Sequence, residues 1–179
     1  MLLYASPLVT LLVNPLVTPV VLAAPAFSVE RGLFEDPVTV TLTPSASDAQ
    51  IYWSRDGAEP TLPYTDAIAI DATTVLRARE QLADGTLSEV VTQTYVFVDD
   101  VIASPLMETR ITADPRYTDV LGETLRQLPW ISLVIPAGLS TAEQAASIEW
   151  IDPETGTLPR RWGGRTPRRR AQLVFLRKN

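Results

Sequence analysis

The 179-residue chain contains no cysteine and no histidine. Without cysteine there is no disulfide framework, no thiol chemistry and no thiolate metal site. Without histidine the commonest general base and the commonest metal ligand are both missing. Ser-His-Asp triads, Cys-His pairs and histidine-bearing zinc centres are therefore excluded. An uninterrupted apolar run of spanning length is also lacking. The first 26 residues are apolar, but Pro7, Pro15, Pro19 and Pro25 divide them. A membrane-spanning helix needs about 20 consecutive apolar residues, and Pro15 and Pro19 would break its hydrogen-bond ladder. No transmembrane span is expected.

What remains is a chain of ordinary globular hydrophobicity, 46% apolar. Its length suits one large or two small domains. The net charge of −6 conceals an asymmetry. Residues 1–159 carry −14 and residues 160–179 carry +8. An acidic body with a basic tail is compatible with a nucleic-acid or membrane surface, but charge runs are more often solvated faces. No specific nucleic-acid partner is expected.

Residues 1–26 form an apolar, proline-rich leader or linker. Ala24-Pro25-Ala26 is a small-x-small pattern like a cleavage site, yet no Lys or Arg stands near the start, so signal and linker both stay open. Strand periodicity then dominates. Pro37–Thr43 alternates apolar and hydroxyl residues, with Val38, Val40 and Leu42 on one face. Residues 49–54 form a second strand, closed by Arg55-Asp56-Gly57, a hairpin signal. Further strands follow at 67–70, at 73–79 with Thr74, Leu76 and Ala78 inward, and at 90–98. Asp84-Gly85 marks another hairpin turn. Short strands with turn signals every 8–12 residues predict a sandwich over residues 27–99.

After Asp99-Asp100 the pattern changes. Residues 100–113 read as a linker. Asp114-Pro115 reads as a helix start, with helical spacing of Tyr117, Val120, Leu121, Leu125 and Leu128 up to Pro129. Strands are expected at 131–135, 147–151 and 171–176, with a capping box at 140–143. The fold class expected is mainly β: a small immunoglobulin/fibronectin-like antiparallel β-sandwich, then a partial α+β segment over residues 114–179.

The pieces FSVERGLFEDPVTVTL, IYWSRDGAEPT, YTDAIAI, TTVLRARE and DGTLSEVVTQTYVF carry a resemblance. Together they resemble the small β-sandwich at the C-terminus of chitobiases and β-hexosaminidases, also described as fibronectin type III-associated. Ala58 stands where that family usually has Ser, and Ala67 where it has Pro. More weakly, DPRYTDVLGETLRQLPWISLVI, SIEWIDPETG and GGRTPRRRAQLVF resemble the opening of the spore-coat-protein-H-like kinase domain. That second resemblance implies phosphate contact at Arg168, Arg169 and Arg170, where the family has lysine. The family's metal-binding and catalytic region would lie beyond Asn179.

Candidate sites follow from the residues. Tyr52, Trp53 and Tyr64 offer aromatic rings to a sugar, but alternation places Tyr52 and Trp53 on opposite faces, leaving Tyr52 as the outward one. Asp56 with Glu59 offers two carboxylates to a cation, against the simpler reading that Asp56 serves its own turn. Asp99 and Asp100 read as a solvated junction. The six arginines between 160 and 170 offer phosphate contact, although no GK[ST] P-loop signature is present.

No cofactor and no catalytic residue is expected. The functional expectation is a non-catalytic accessory module of a bacterial extracellular or cell-envelope protein, a spacer or a carbohydrate contact. Its expected partners are cell-surface polysaccharide or other domains of a larger surface protein. The alternative is a kinase-like remnant with residual nucleotide binding.

Overall fold

The computed structural model describes residues 21–136 and 145–153. The expected leader (apart from 21–26), the capping box, the arginine-rich stretch and the strand at 171–176 lie outside the described residues.

Nine short strands fall between Ala26 and Phe97. They are β1 (Ala26–Phe27), β2 (Gly32–Phe34), β3 (Val38–Val40), β4 (Leu42–Thr43), β5 (Gln50–Ser54), β6 (Leu62–Pro63), β7 (Ile68–Ile70), β8 (Thr74–Gln81) and β9 (Val91–Phe97). Five form one sheet in the order β2-β9-β8-β5-β6. All its pairs are antiparallel except β2 with β9, which is parallel. The pairs β1–β4 and β3–β7 make the opposing layer. The described part of the chain is mainly β with a small helical part.

The apolar alternation does what period-2 patterning requires. Val40, Leu42, Ile68 and Ile70 of one layer meet Ile51, Leu76, Ala78, Tyr95 and Phe97 of the other, forming the buried core cluster. Thr74, Leu76 and Ala78 point inward as their spacing predicts, and all three are buried. Phe34 lies against Tyr95 and Phe97 at ring separations of 5.5 and 6.1 Å. The Tyr95 hydroxyl is not wasted in this core, because it donates to Val29 O at 2.7 Å.

One expected strand is divided. Residues 37–43 read as continuous, but the chain changes partner in the middle. Val38–Val40 pairs with β7, and Leu42–Thr43 pairs with β1. Thr41 is the switch: its amide donates to Ser28 Oγ at 2.8 Å and its carbonyl accepts from Ser28 N at 2.9 Å. A single-sequence pattern shows which face is apolar, not which neighbour supplies the ladder.

Beyond Phe97 the expected strand end turns into helix α1 (Val98–Ala103). The expected linker at 100–113 therefore holds most of α1 together with α2 (Thr109–Thr112). The expected helix from Asp114 begins later, as α3 (Leu121–Gln127). Asp114 instead caps a turn, its carboxylate accepting from the Arg116 amide at 2.9 Å and from the Arg116 guanidinium. This side-chain bonding competes with helix formation.

Two further strands, β10 (Trp130–Val134) and β11 (Ser147–Ile151), pair antiparallel from Trp130↔Ile151 to Val134↔Ser147. This β10–β11 pair does not stand apart from the sandwich. Ser132 Oγ lies 2.7 Å from Thr94 Oγ1, and Arg31 Nη1 donates to Glu149 Oε1 at 3.2 Å. Its inner face thus covers part of the outer face of the five-stranded sheet. Thr92, Thr94 and Val96 are buried there, on the side of β9 opposite Tyr95 and Phe97.

Glu80 is a second buried carboxylate, at the far end of β8. It accepts from Ser45 N at 2.6 Å and from Ser45 Oγ at 2.8 Å, tying the β4–β5 turn to the central strand.

Leu76 has no exposed surface and sits at the centre of the cluster. Leu76→Ala should cost about 2–5 kcal/mol through lost burial and a residual cavity. Urea unfolding followed by far-UV circular dichroism checks this as a shift of midpoint at unchanged slope.

Candidate binding surface

The IYWSRDGAEPT stretch is organised by one turn. Asp56 and Gly57 have φ of +60° and +74°, and Ala58 N donates to Arg55 O at 3.3 Å. Positive φ at both central residues is the type I′ pattern that suits the twist of flanking strands. Asp tolerates the left-handed region better than most residues, and Gly takes it freely.

Arg77 locks this turn from below. It projects from β8 on the outer face, is buried, and its Nη1 donates to Gly57 O at 3.2 Å, Ala58 O at 3.0 Å and Glu59 Oε1 at 3.2 Å. Ser54 Oγ adds a 2.6 Å bond to Ala58 O. Glu59 is therefore engaged with a buried guanidinium, while Asp56 is exposed at the turn. Among the described residues no group of three or more acidic side chains is placed to hold a metal ion.

The aromatic residues separate by face. Trp53 and Tyr64 pack against the core cluster. Arg55 lies over the Trp53 ring at 5.9 Å, and Tyr64 Oη accepts from Leu42 N at 3.1 Å. Tyr52 takes the other face, between Pro63 on β6 and Arg79 on β8. It lines an open depression of about 400 Å³ with Asp48, Gln50, Gln81, Leu82, Ala83 and Gly85. This depression lies over β5 and the end of β8, where the register pairs Gln50 with Gln81 and Tyr52 with Arg79. A second open depression is lined by Glu108, Arg110, Asp114, Arg116 and Tyr117, whose charged groups already pair with one another.

Gly85, at the rim of the first depression, has φ of +88°. Next to it, Asp84 accepts from the Thr86 amide at 2.8 Å, which holds its carboxyl below the ordinary carboxylate range. Asp99 and Asp100 fall in the first turn of α1. Asp100 accepts from Thr73 N at 2.7 Å, and Asp99 from Arg126 Nη2 at 2.9 Å. They do not converge on one point. Arg168, Arg169 and Arg170 lie outside the described residues.

Sequence reasoning missed Arg77, Thr94 and Glu149. The signal for Glu149 was present: one carboxylate flanked by Ile148 and Trp150 in the strand SIEWI. A lone charge at such a place is unlike a solvated face and calls for a buried partner.

The layering of the described residues is that of a small, mainly β sandwich module. Residues 29–92 match the family model of the chitobiase/beta-hexosaminidase C-terminal domain. The match stops within β9 and leaves the β10–β11 pair outside it. No curated protein and no solved structure matches the chain.

Gly57 also faces the β10–β11 pair. A Cβ built there would stand 2.7 Å from Val134 Cγ1, on a backbone of positive φ. Gly57→Ala should destabilise by about 1–2 kcal/mol from the backbone conformation alone, and by more from the contact. Adding Val134→Ala should recover the contact part but not the backbone part. A double-mutant cycle in urea reads this as a coupling energy of roughly 0.5–3 kcal/mol; additivity of the two changes would mean that the strand pair does not rest on the turn.

Proposed function

We propose that this chain contributes a non-catalytic accessory module to a bacterial extracellular or cell-envelope protein, and that the module contacts polysaccharide through the depression around Tyr52. The match of residues 29–92 to a C-terminal, non-catalytic type of domain supports the accessory role. The observation that carries the contact is the setting of Tyr52. Its ring lies on the stretch of sheet face lined by Asp48, Gln50 and Gln81. A pyranose presents an apolar face and a rim of hydroxyls. An aromatic ring takes the first, and amide and carboxylate groups take the second. Gln50 spends its Nε2 on Ile51 O at 3.1 Å and on Tyr64 O, which fixes its orientation. An open depression suits a polymer that passes across the surface better than a small molecule needing enclosure.

The test is co-sedimentation of the purified chain with insoluble chitin and other bacterial or fungal polysaccharides. Retention on at least one is expected. Tyr52→Ala should weaken it roughly 3- to 10-fold, the range for loss of one aromatic contact. Retention that is unchanged in Tyr52→Ala would move the contact elsewhere, and no retention on any polymer would leave the spacer role.

A further inference from the structure

Glu149, in the middle of β11, is only 3% exposed. Its Oε1 accepts from Arg31 Nη1 at 3.2 Å, and its Oε2 from the Thr94 hydroxyl on β9. Thr94 has a single hydroxyl proton. Given to Glu149, it leaves Thr94 Oγ1 an acceptor in its 2.7 Å contact with Ser132 Oγ. Ser132 must then be the donor. Ser132 and Glu149 stand directly opposite each other across β10 and β11. The hydrogen bonds therefore run from Ser132 to Thr94 to Glu149, leaving the strand pair, touching the sandwich, and returning.

This chain of bonds has a second direction. A protonated Glu149 carries an O–H that can donate to Thr94 Oγ1. Thr94 then turns its proton toward Ser132, and the same heavy atoms stay bonded. Arg31 still finds an acceptor oxygen on the neutral carboxyl. We propose that Glu149, Thr94 and Ser132 form a proton-reversible latch that holds the β10–β11 pair on the sandwich in both charge states and holds it more firmly in the neutral one.

The charged surroundings are mixed. Arg31, on the segment before β2, favours the carboxylate. The nearby Tyr95 stays neutral, its hydroxyl being pushed up first by burial and then by the charges of Glu149 and Glu30. Burial raises Glu149 above its ordinary value of 4.5, against the hydrogen bonds from Thr94 and Arg31 and the Arg31 charge. The folded state thus holds this proton more tightly than the unfolded chain. The stability from protonation is complete below the unfolded value and is lost as pH rises through the raised folded one.

Thermal unfolding of the full chain from pH 4.5 to 8 tests this, comparing wild type with Glu149→Gln and Thr94→Val. Glutamine is a permanently neutral isostere that can donate to Thr94 and accept from Arg31. It should raise Tm at pH 8, where the wild-type carboxyl is ionised. The gap should close toward pH 4.5. Asp84, Glu108 and Asp114, whose carboxyls are held low, act in the opposite sense but are common to both chains and cancel in the difference. Thr94→Val should lower Tm at both ends of the range. Parallel curves for wild type and Glu149→Gln, or a glutamine chain less stable by the same amount at every pH, would overturn the proposal. If the glutamine chain fails to fold, wild type decides alone. Amide exchange of residues 147–151, corrected for intrinsic rate and referred to β5, should slow from pH 8 to pH 4.5; faster exchange would overturn the latch.

Discussion

Strand β8 is covered on both faces, and the rest of the described structure depends on that. On one side Leu76 and Ala78 are fully buried in the core between the two layers. On the other, Arg77 is buried beneath the turn of residues 55–58. A strand of an antiparallel sandwich usually has one dry and one wet face. Here the wet face of β8 and β9 has been partly closed, by the turn at one place and by the β10–β11 pair at another. Closure brings polar groups out of water, and most find partners, although Arg31 Nε and Arg77 Nε are buried without one.

Those partners account for the buried charges. Arg77 reaches two carbonyls and Glu59, Glu149 reaches Arg31 and Thr94, and Glu80, on the core side of β8, reaches Ser45. In each case a charged side chain on a regular strand fixes a segment that lacks a regular ladder or belongs to another sheet. Removing one partner of such a group is costly because the other is left desolvated. The three groups act as fasteners between elements that apolar packing alone would leave free to slide.

The same covering leaves only part of the outer sheet face open. The part of the outer face near Thr94 is occupied by Ser132 and Glu149, and the part near Arg77 by the turn. The stretch over β5 and the end of β8 is left, and Tyr52 lies in it. The outer surface of the β10–β11 pair is a different case. Ile131, Leu133 and Ile148 share its far side at 65%, 42% and 45% exposure. The far side of this strand pair is therefore apolar, while its near side carries Ser132 and Glu149 against the sandwich.

The β character up to Phe97, the inward faces of β3, β4 and β8, and the turn at Asp56-Gly57 were legible in the amino-acid pattern. These depend on alternation and on backbone preference, which act over a few residues and so leave a local trace. It also placed Tyr52 and Trp53 on opposite faces for the same reason. It left out the division of residues 37–43 between two partners, the two short helices within the expected linker, and the burial of Arg77, Thr94 and Glu149. These follow from long-range packing. Each depends on which distant segment comes to lie alongside: Ser28 beside Thr41, the turn above Arg77, Ser132 beside Thr94. A local pattern can say that a face is apolar or polar. Whether a polar face meets water or another strand is set by contacts between residues far apart in the chain.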